Sequence, residues 1–164
     1  MTDPGTSSGA RRVATDAGGI ELAGGGRMRT EVVYRVSGGL VRDEELRVLE
    51  ALQLELLVDL RGAGERRDTL EIWARDHRVR YEHAPITAAS PEQLAEVSAA
   101  GATETDGLAH LRTIYREIVD RHAHSLARTL TLIADAQRVG FGCAAGKDRT
   151  GLVIGLPAYP ARRV

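Results

Sequence analysis

The run Val139-Gly140-Phe141-Gly142-Cys143-Ala144-Ala145-Gly146-Lys147-Asp148-Arg149-Thr150-Gly151-Leu152-Val153-Ile154-Gly155 organises the rest of this chain. Val139 and Phe141 form a short apolar segment that brings the backbone up as a strand. Small residues and one Cys follow, then an Arg six positions after that Cys, all before an apolar run from Leu152 that is expected to begin a helix. In a loop of small residues entering a helix, successive backbone N–H groups turn toward one point, where the first free helical donors also converge. Ala144, Ala145, Gly146, Lys147, Arg149 and Thr150 are therefore the expected phosphate-binding residues.

Cys143 stands at the start of this cradle, where the same donors stabilise a thiolate. Such settings lower a thiol pKa from about 8.5 to roughly 3.5–7.5. The sulfur is then a ready nucleophile at neutral pH. Arg149 offers a planar fork to two phosphoryl oxygens and can hold the charge that grows as phosphorus is attacked. Thr150 can give its hydroxyl to the sulfur and favour it as a leaving group. Asp148 can protonate a departing oxygen and later activate water. The bland alternative is a buried structural Cys beside a surface Arg. A nucleotide-binding loop fails on spacing. It needs Gly, four residues, then Gly-Lys-Ser/Thr, whereas Phe141 and Asp148 occupy the deciding positions.

The stretch Cys-Ala-Ala-Gly-Lys-Asp-Arg-Thr-Gly resembles the Cys-(five residues)-Arg-Ser/Thr signature of protein tyrosine phosphatases. In detail it is similar to the variant of the bacterial atypical tyrosine and lipid phosphatase family. The resemblance implies an α/β fold, with a small, mostly parallel central sheet flanked by helices. It also ties Lys147 to phosphoinositide acceptance and Asp148 to proton transfer, and implies catalytic roles for Cys143, Asp148 and Arg149.

At 164 residues the chain has room for one domain with a real core. A net charge of −1 gives no reason to expect nucleic acid as a partner. The single Cys excludes an internal disulfide, so a reduced, cytoplasmic setting is the default expectation. No apolar run is long enough to span a bilayer, so stable membrane insertion is not expected. His122 and His124 face different sides of a helix, and no Cys or carboxylate set completes a metal site. Neither a metal nor another cofactor is expected, because Arg149 and the loop donors would stabilise the charge themselves.

Residues 1–27, rich in Gly, Ser, Thr and Asp, read as a flexible leader, and residues 28–164 as the phosphatase-like domain. Val32-Val33-Tyr34-Arg35 has strand composition before the turn at Ser37-Gly38-Gly39, and Arg35 either faces the site or lies on the surface. Asp43 is the expected cap of a helix carrying Leu46, Leu49 and Leu52. Leu56 to Leu60 reads as a buried parallel strand. Asp59, at its carboxyl end, is a second candidate for proton transfer, with an Asp59–Arg61 pairing that orders the loop as the equal alternative. A helix is expected over 65–76 and a strand from Val79 to His83, whose His reads as structural. Ser90-Pro91-Glu92-Gln93 starts a further helix that Gly101 stops. Two amphipathic helices, marked by Leu108 to Ile118 and Leu126 to Ala134, lead into Val139.

Two departures from the resembled family stand out. His usually precedes the catalytic Cys, but Gly142 does here, which predicts weaker support of the thiolate. The family helix after the signature is long and others follow it, whereas here Pro157 and Pro160 come soon after Leu156. The expectation is a C-terminally incomplete domain whose apolar surface is exposed or covered by a partner chain. The resulting reading is a cysteine-dependent tyrosine phosphatase acting through a phosphocysteine, on phosphotyrosine protein and, by dual specificity or lipid acceptance, on phosphoserine/threonine or phosphoinositide. The alternatives are a weak or inactive phosphate-binding pseudophosphatase and a truncated fragment.

Overall fold

The computed structural model describes residues 13–39, 42–87 and 104–158, the side chains of 104–108, 110 and 111 excepted. In chain order the elements are β1 (Ala14–Asp16), β2 (Val33–Ser37), α1 (Asp43–Ala51), β3 (Leu56–Asp59), a 3-10 turn (Ala63–Glu65), α2 (Thr69–Asp76), β4 (Arg80–His83), α3 (Glu104–Arg121), α4 (Ala123–Asp135), β5 (Val139–Cys143) and α5 (Asp148–Ala158). The strands form one sheet in the order β1-β2-β5-β3-β4. β2, β5, β3 and β4 run parallel, and β1 alone is antiparallel, against β2. The mostly parallel sheet flanked by helices is therefore present.

The sheet is covered on both faces because its central strands have no polar face. Leu56, Leu57, Val58, Val139 and Phe141 are all buried. Side chains alternate across a strand. Leu56, Val58, Val139, Phe141 and Cys143 accordingly share one core with Ile114 and Ile118 of α3, Leu126 of α4 and Val153 and Ile154 of α5. Leu57 and Val36 point the other way, into a core with Leu49 of α1 and Leu70 and Trp73 of α2. Closing β5 between β2 and β3 puts Ser37 opposite Cys143 and Asp59 opposite Gly142, all at the carboxyl edge of the sheet. Ligands gather at that edge in open α/β sheets.

Several expectations need correction. Residues 13–27 are not an unstructured leader. Ala14, Thr15 and Asp16 pair with Val36, Arg35 and Tyr34, and Val13 and Ala17 are buried. Three residues without apolar alternation give no strand pattern, and the edge of β2 supplies the order. Arg42, not Asp43, is the cap of α1, with its N–H held by the Glu45 carboxylate at 2.9 Å. The helix expected over 65–76 begins only at Thr69, because Glu65 closes the 3-10 turn and Arg66 is extended. α5 begins at Asp148, four residues before Leu152, and runs to Ala158 with Pro157 inside it. The helix expected from Ser90 to Gly101 lies outside the described residues.

Gly142 also reads differently in three dimensions. A Cβ there would lie 1.7 Å from the Val36 carbonyl oxygen, far inside van der Waals contact. This chain brings β2 so close to β5 that no side chain fits before Cys143.

Candidate active site

The loop 144–147 is braced from the β2 side. The Gly38 N–H donates to the Cys143 carbonyl at 2.9 Å, and the Gly39 N–H to the Ala144 carbonyl at 2.9 Å. The Ser37 hydroxyl reaches the same Ala144 oxygen at 3.2 Å, and Arg35 Nη2 donates to the Gly146 carbonyl at 2.8 Å. Arg35 thus belongs to the site. Gly146 has φ +64, a left-handed conformation that suits glycine. The C=O and N–H of a trans peptide point in opposite directions. With the Cys143, Ala144 and Gly146 carbonyls engaged toward β2, the N–H groups of Ala144, Ala145 and Lys147 are turned away from it. The Lys147 N–H faces the Cys143 sulfur.

Cys143 is buried, at 3% exposure. The Thr150 hydroxyl accepts the Cys143 N–H at 3.1 Å and donates to its sulfur at 3.4 Å. Burial is the largest single influence on the thiol and pushes its pKa up. The Thr150 hydroxyl and N–H, the Arg149 charge and the Lys147 N–H together outweigh it, so the thiol is held below its ordinary value. The start of α5 supplies three of these four groups because Arg149 and Thr150 occupy its first turn.

Arg149 is 6% exposed and meets a partner that sequence reasoning missed. Its Nη1 and Nη2 donate to the two Glu65 carboxylate oxygens at 2.6 Å each, and Nη1 also donates to the Ile86 carbonyl at 3.2 Å. Glu65 in turn accepts the Gly62 N–H at 2.9 Å. These contacts hold the guanidinium facing the Cys143 sulfur; burial, the largest influence, disfavours its charged form, but the Glu65 carboxylate and then the sulfur outweigh burial.

Asp148 is exposed at the start of α5, a favourable place for an acid at a helix N-terminus. Its Oδ1 accepts the Tyr115 hydroxyl from α3 at 2.8 Å. Lys147 and Asp148 line a cleft of about 360 Å³ beside α5, together with the apolar Leu152 and Leu156. Ala145 is exposed, Ala144 and Gly146 are half-buried, and Thr150 is fully buried.

Asp59 serves the loop-ordering alternative. It is 2% exposed and binds Arg61 through Nε at 3.0 Å, Nη2 at 2.6 Å and the backbone N–H at 2.9 Å, while Tyr81 donates to it at 2.7 Å. Burial pushes its carboxyl up most, but the Arg61 and Tyr81 bonds outweigh burial and hold it below the usual range. Arg61 Nη1 also reaches the Gly38 carbonyl, tying this pair to the turn that braces the cradle. His83 is structural as read, bonded to the Arg61 carbonyl at 2.7 Å.

The profile of the tyrosine phosphatase family matches residues 14–157. A Cupriavidus necator protein whose name assigns it provisionally to the tyrosine-protein phosphatases is 30% identical over 142 residues, covering 84% of this chain and 50% of its own length. A Nostoc commune tyrosine-protein phosphatase is 29% identical over 126 residues, covering 72% of this chain and 39% of its own. The chain thus spans half or less of the length of these relatives. Among solved structures, P. aeruginosa TpbA aligns with a TM-score of 0.40 at 17% identity, covering 81% of this chain and 65% of its own. A TpbA variant in complex with pTyr aligns with a TM-score of 0.41 at 16% identity, covering 93% of this chain and 74% of its own. The family profile spans the whole run from the antiparallel edge strand to the helix after the cradle, and this chain belongs to the tyrosine phosphatase family.

Proposed function

We propose that the chain is a cysteine-dependent phosphatase that hydrolyses phosphotyrosine through a phosphocysteine intermediate. One observation carries the reading. A buried sulfur with a depressed pKa faces an arginine guanidinium at the mouth of a helix, with a hydroxyl donor 3.4 Å away. Membership of the tyrosine phosphatase family supports the choice of substrate.

The Cys143 thiolate attacks phosphorus as the bond to the leaving oxygen breaks, and Asp148 donates a proton to that oxygen. Arg149 and the N–H groups of Ala144, Ala145, Gly146, Lys147 and Thr150 stabilise the equatorial oxygens. Water, giving its proton to Asp148, then attacks the phosphocysteine. The S–P bond breaks, phosphate leaves, and the Thr150 hydroxyl stabilises the regenerated thiolate. The buried pairing of Asp59 with Arg61 and Tyr81 supports the choice of Asp148 over Asp59 for proton transfer. The exposed Lys147 at the rim suits substrates with further negative charge, which extends the reading to phosphoinositides and to dual specificity. Among the described residues no helix is long and apolar enough to cross a membrane. A reducing cytoplasm is the setting that keeps Cys143 a thiol.

The test is hydrolysis of an aryl phosphate in the presence of chelator by wild type and Cys143→Ser. Loss of turnover in Cys143→Ser supports the reading, and equal rates rule it out. Phosphate binding without turnover by the wild type would instead mark a phosphate-binding module.

A further inference from the structure

The cleft of about 360 Å³ is lined from α5 by Asp148, Gly151, Leu152, Gly155 and Leu156, which recur at the spacing of one helical face, and from α3 by Tyr115. That face rises about 12 Å from Asp148 to Leu156, so the cleft is a trough along the helix. Its polar side chains gather at one end. The Tyr115 hydroxyl donates to Asp148 Oδ1 at 2.8 Å, and Lys147, which also lines the cleft, precedes Asp148 in the chain. Beyond them stand Leu152, the exposed Leu156 and the two glycines, where an added Cβ would meet no described heavy atom outside its own helix within 4 Å. We infer that this cleft takes the unbranched apolar chain of an alkyl phosphate monoester, with the phosphoryl group in the cradle and the ester oxygen at Asp148.

The inference rests on the phosphatase reading and names a leaving group for it. The residue that protonates the leaving oxygen fixes where the leaving group begins, and Asp148 is also part of the cleft. Whatever is bonded to that oxygen therefore has the cleft beside it. An alkoxide is a poor leaving group that needs its proton in the transition state. As the S–P bond forms and the P–O bond breaks, the Asp148 proton goes to the ester oxygen and the chain departs as a neutral alcohol. Water then cleaves the S–P bond as for any other substrate. A peptide lying along the same trough would bring N–H and C=O groups that must be paired, and the stretch from Gly151 to Leu156 offers no side-chain donor or acceptor. A phosphorylated polyol ring meets the same difficulty. An alkyl chain needs no partner and removes apolar surface from water.

The test is a series of n-alkyl phosphates from ethyl to dodecyl, each below its micelle concentration, read by kcat and KM on the full chain, with the Kd of the matching alkyl phosphonates as a readout that needs no turnover. The alcohols differ little as leaving groups, so chain length reports binding. Each added methylene is expected to raise kcat/KM about 3-fold, mostly through KM. The rise should level off near about ten carbons, the extended length that matches the trough. Gly155→Leu fills the trough without a clash at its Cβ, and the decyl-to-ethyl ratio should fall to less than about 5-fold. Leu156→Asn places an amide in the same trough and is read in its place should Gly155→Leu melt below the assay temperature. Rates and Kd values that do not change with chain length overturn the inference, as does a chain-length gain that both variants retain. A phosphotyrosine peptide whose preference over every alkyl phosphate is lost in Gly155→Leu gives the cleft to a peptide and overturns it too. So does a wild type that is dimeric at assay concentration and monomeric as Gly155→Leu, which gives the face to a second copy. If the wild type turns over neither aryl nor alkyl phosphate, the phosphatase reading falls, and the phosphonate series still decides what the cleft holds.

Discussion

The Thr150 hydroxyl lies between two atoms of Cys143, accepting its N–H at 3.1 Å and donating to its sulfur at 3.4 Å. One oxygen thereby fixes the backbone at the end of β5 and stabilises the thiolate. Thr150→Val removes both bonds and leaves a buried N–H without a partner, an effect of about 1–3 kcal/mol, or roughly 10- to 100-fold in rate. The Cys143 pKa rises in this variant because a group that lowers it is gone. Alkylation of Cys143 by iodoacetamide as a function of pH should show its midpoint moving upward, and the acid limb of kcat/KM should move with it.

Tyr115 reaches from α3 to donate to Asp148 Oδ1 at 2.8 Å. Tyr115→Phe frees that carboxylate to rotate. The loss should depend on the leaving group, because only a poor leaving group needs its proton in the transition state. For an alkyl phosphate we expect kcat/KM to fall about 10-fold, and for a nitrophenyl phosphate by less than about 2-fold. Asp148→Asn should give the same pattern with a larger loss, about 100-fold or more on the alkyl substrate. Equal losses of kcat/KM on both substrates would remove Asp148 from protonation of the leaving oxygen.

The Asp59–Arg61 pair makes stability fall on acidification. Asp59 has a folded pKa below its ordinary value, so its contribution is complete above the unfolded carboxyl pKa of about 3.9 and is lost as pH drops through the lower folded value. Thermal melts from pH 7 down to pH 2 should therefore steepen below about pH 4. Asp59→Asn leaves Arg61, whose side chain is 1% exposed, without its counter-charge, and should cost about 3–5 kcal/mol at pH 7. The variant should also lose part of the acid slope of the wild type.

Gly142 should not accept even one carbon. A Cβ placed 1.7 Å from the Val36 carbonyl oxygen forces β2 and β5 apart, and those strands carry the braces of the cradle. Gly142→Ala is expected to destabilise the fold by about 3 kcal/mol, and calorimetric unfolding measures it. A histidine at this position should do no better, so the residue before Cys143 is set here by backbone spacing.

What could be seen in the sequence was what is local. Cys143, Arg149 and Thr150 lie within one turn of chain, so their spacing alone implies the meeting of thiol, guanidinium and hydroxyl that the structure contains. The buried strands β3 and β5 were legible because their apolar runs allow no polar face. Glu65 and Tyr115 were not, since they meet Arg149 and Asp148 across 84 and 33 residues and no nearby pattern announces either partner. β1 was hidden because Ala-Thr-Asp borrows its order from β2. The spacing that requires glycine at 142 was not legible because a close approach between strands leaves no mark in a single chain of letters.

The proposed chemistry requires phosphorus to be bonded to sulfur during turnover. The most direct measurement is rapid quench of the wild-type chain in alkaline denaturant with a radiolabelled aryl phosphate, followed by mapping of the label. The account predicts phosphate on Cys143 that survives base and is released in mild acid, as an S–P bond requires, formed within the first turnover and absent from Cys143→Ser. Product release with no label on Cys143 at any quench time would contradict it.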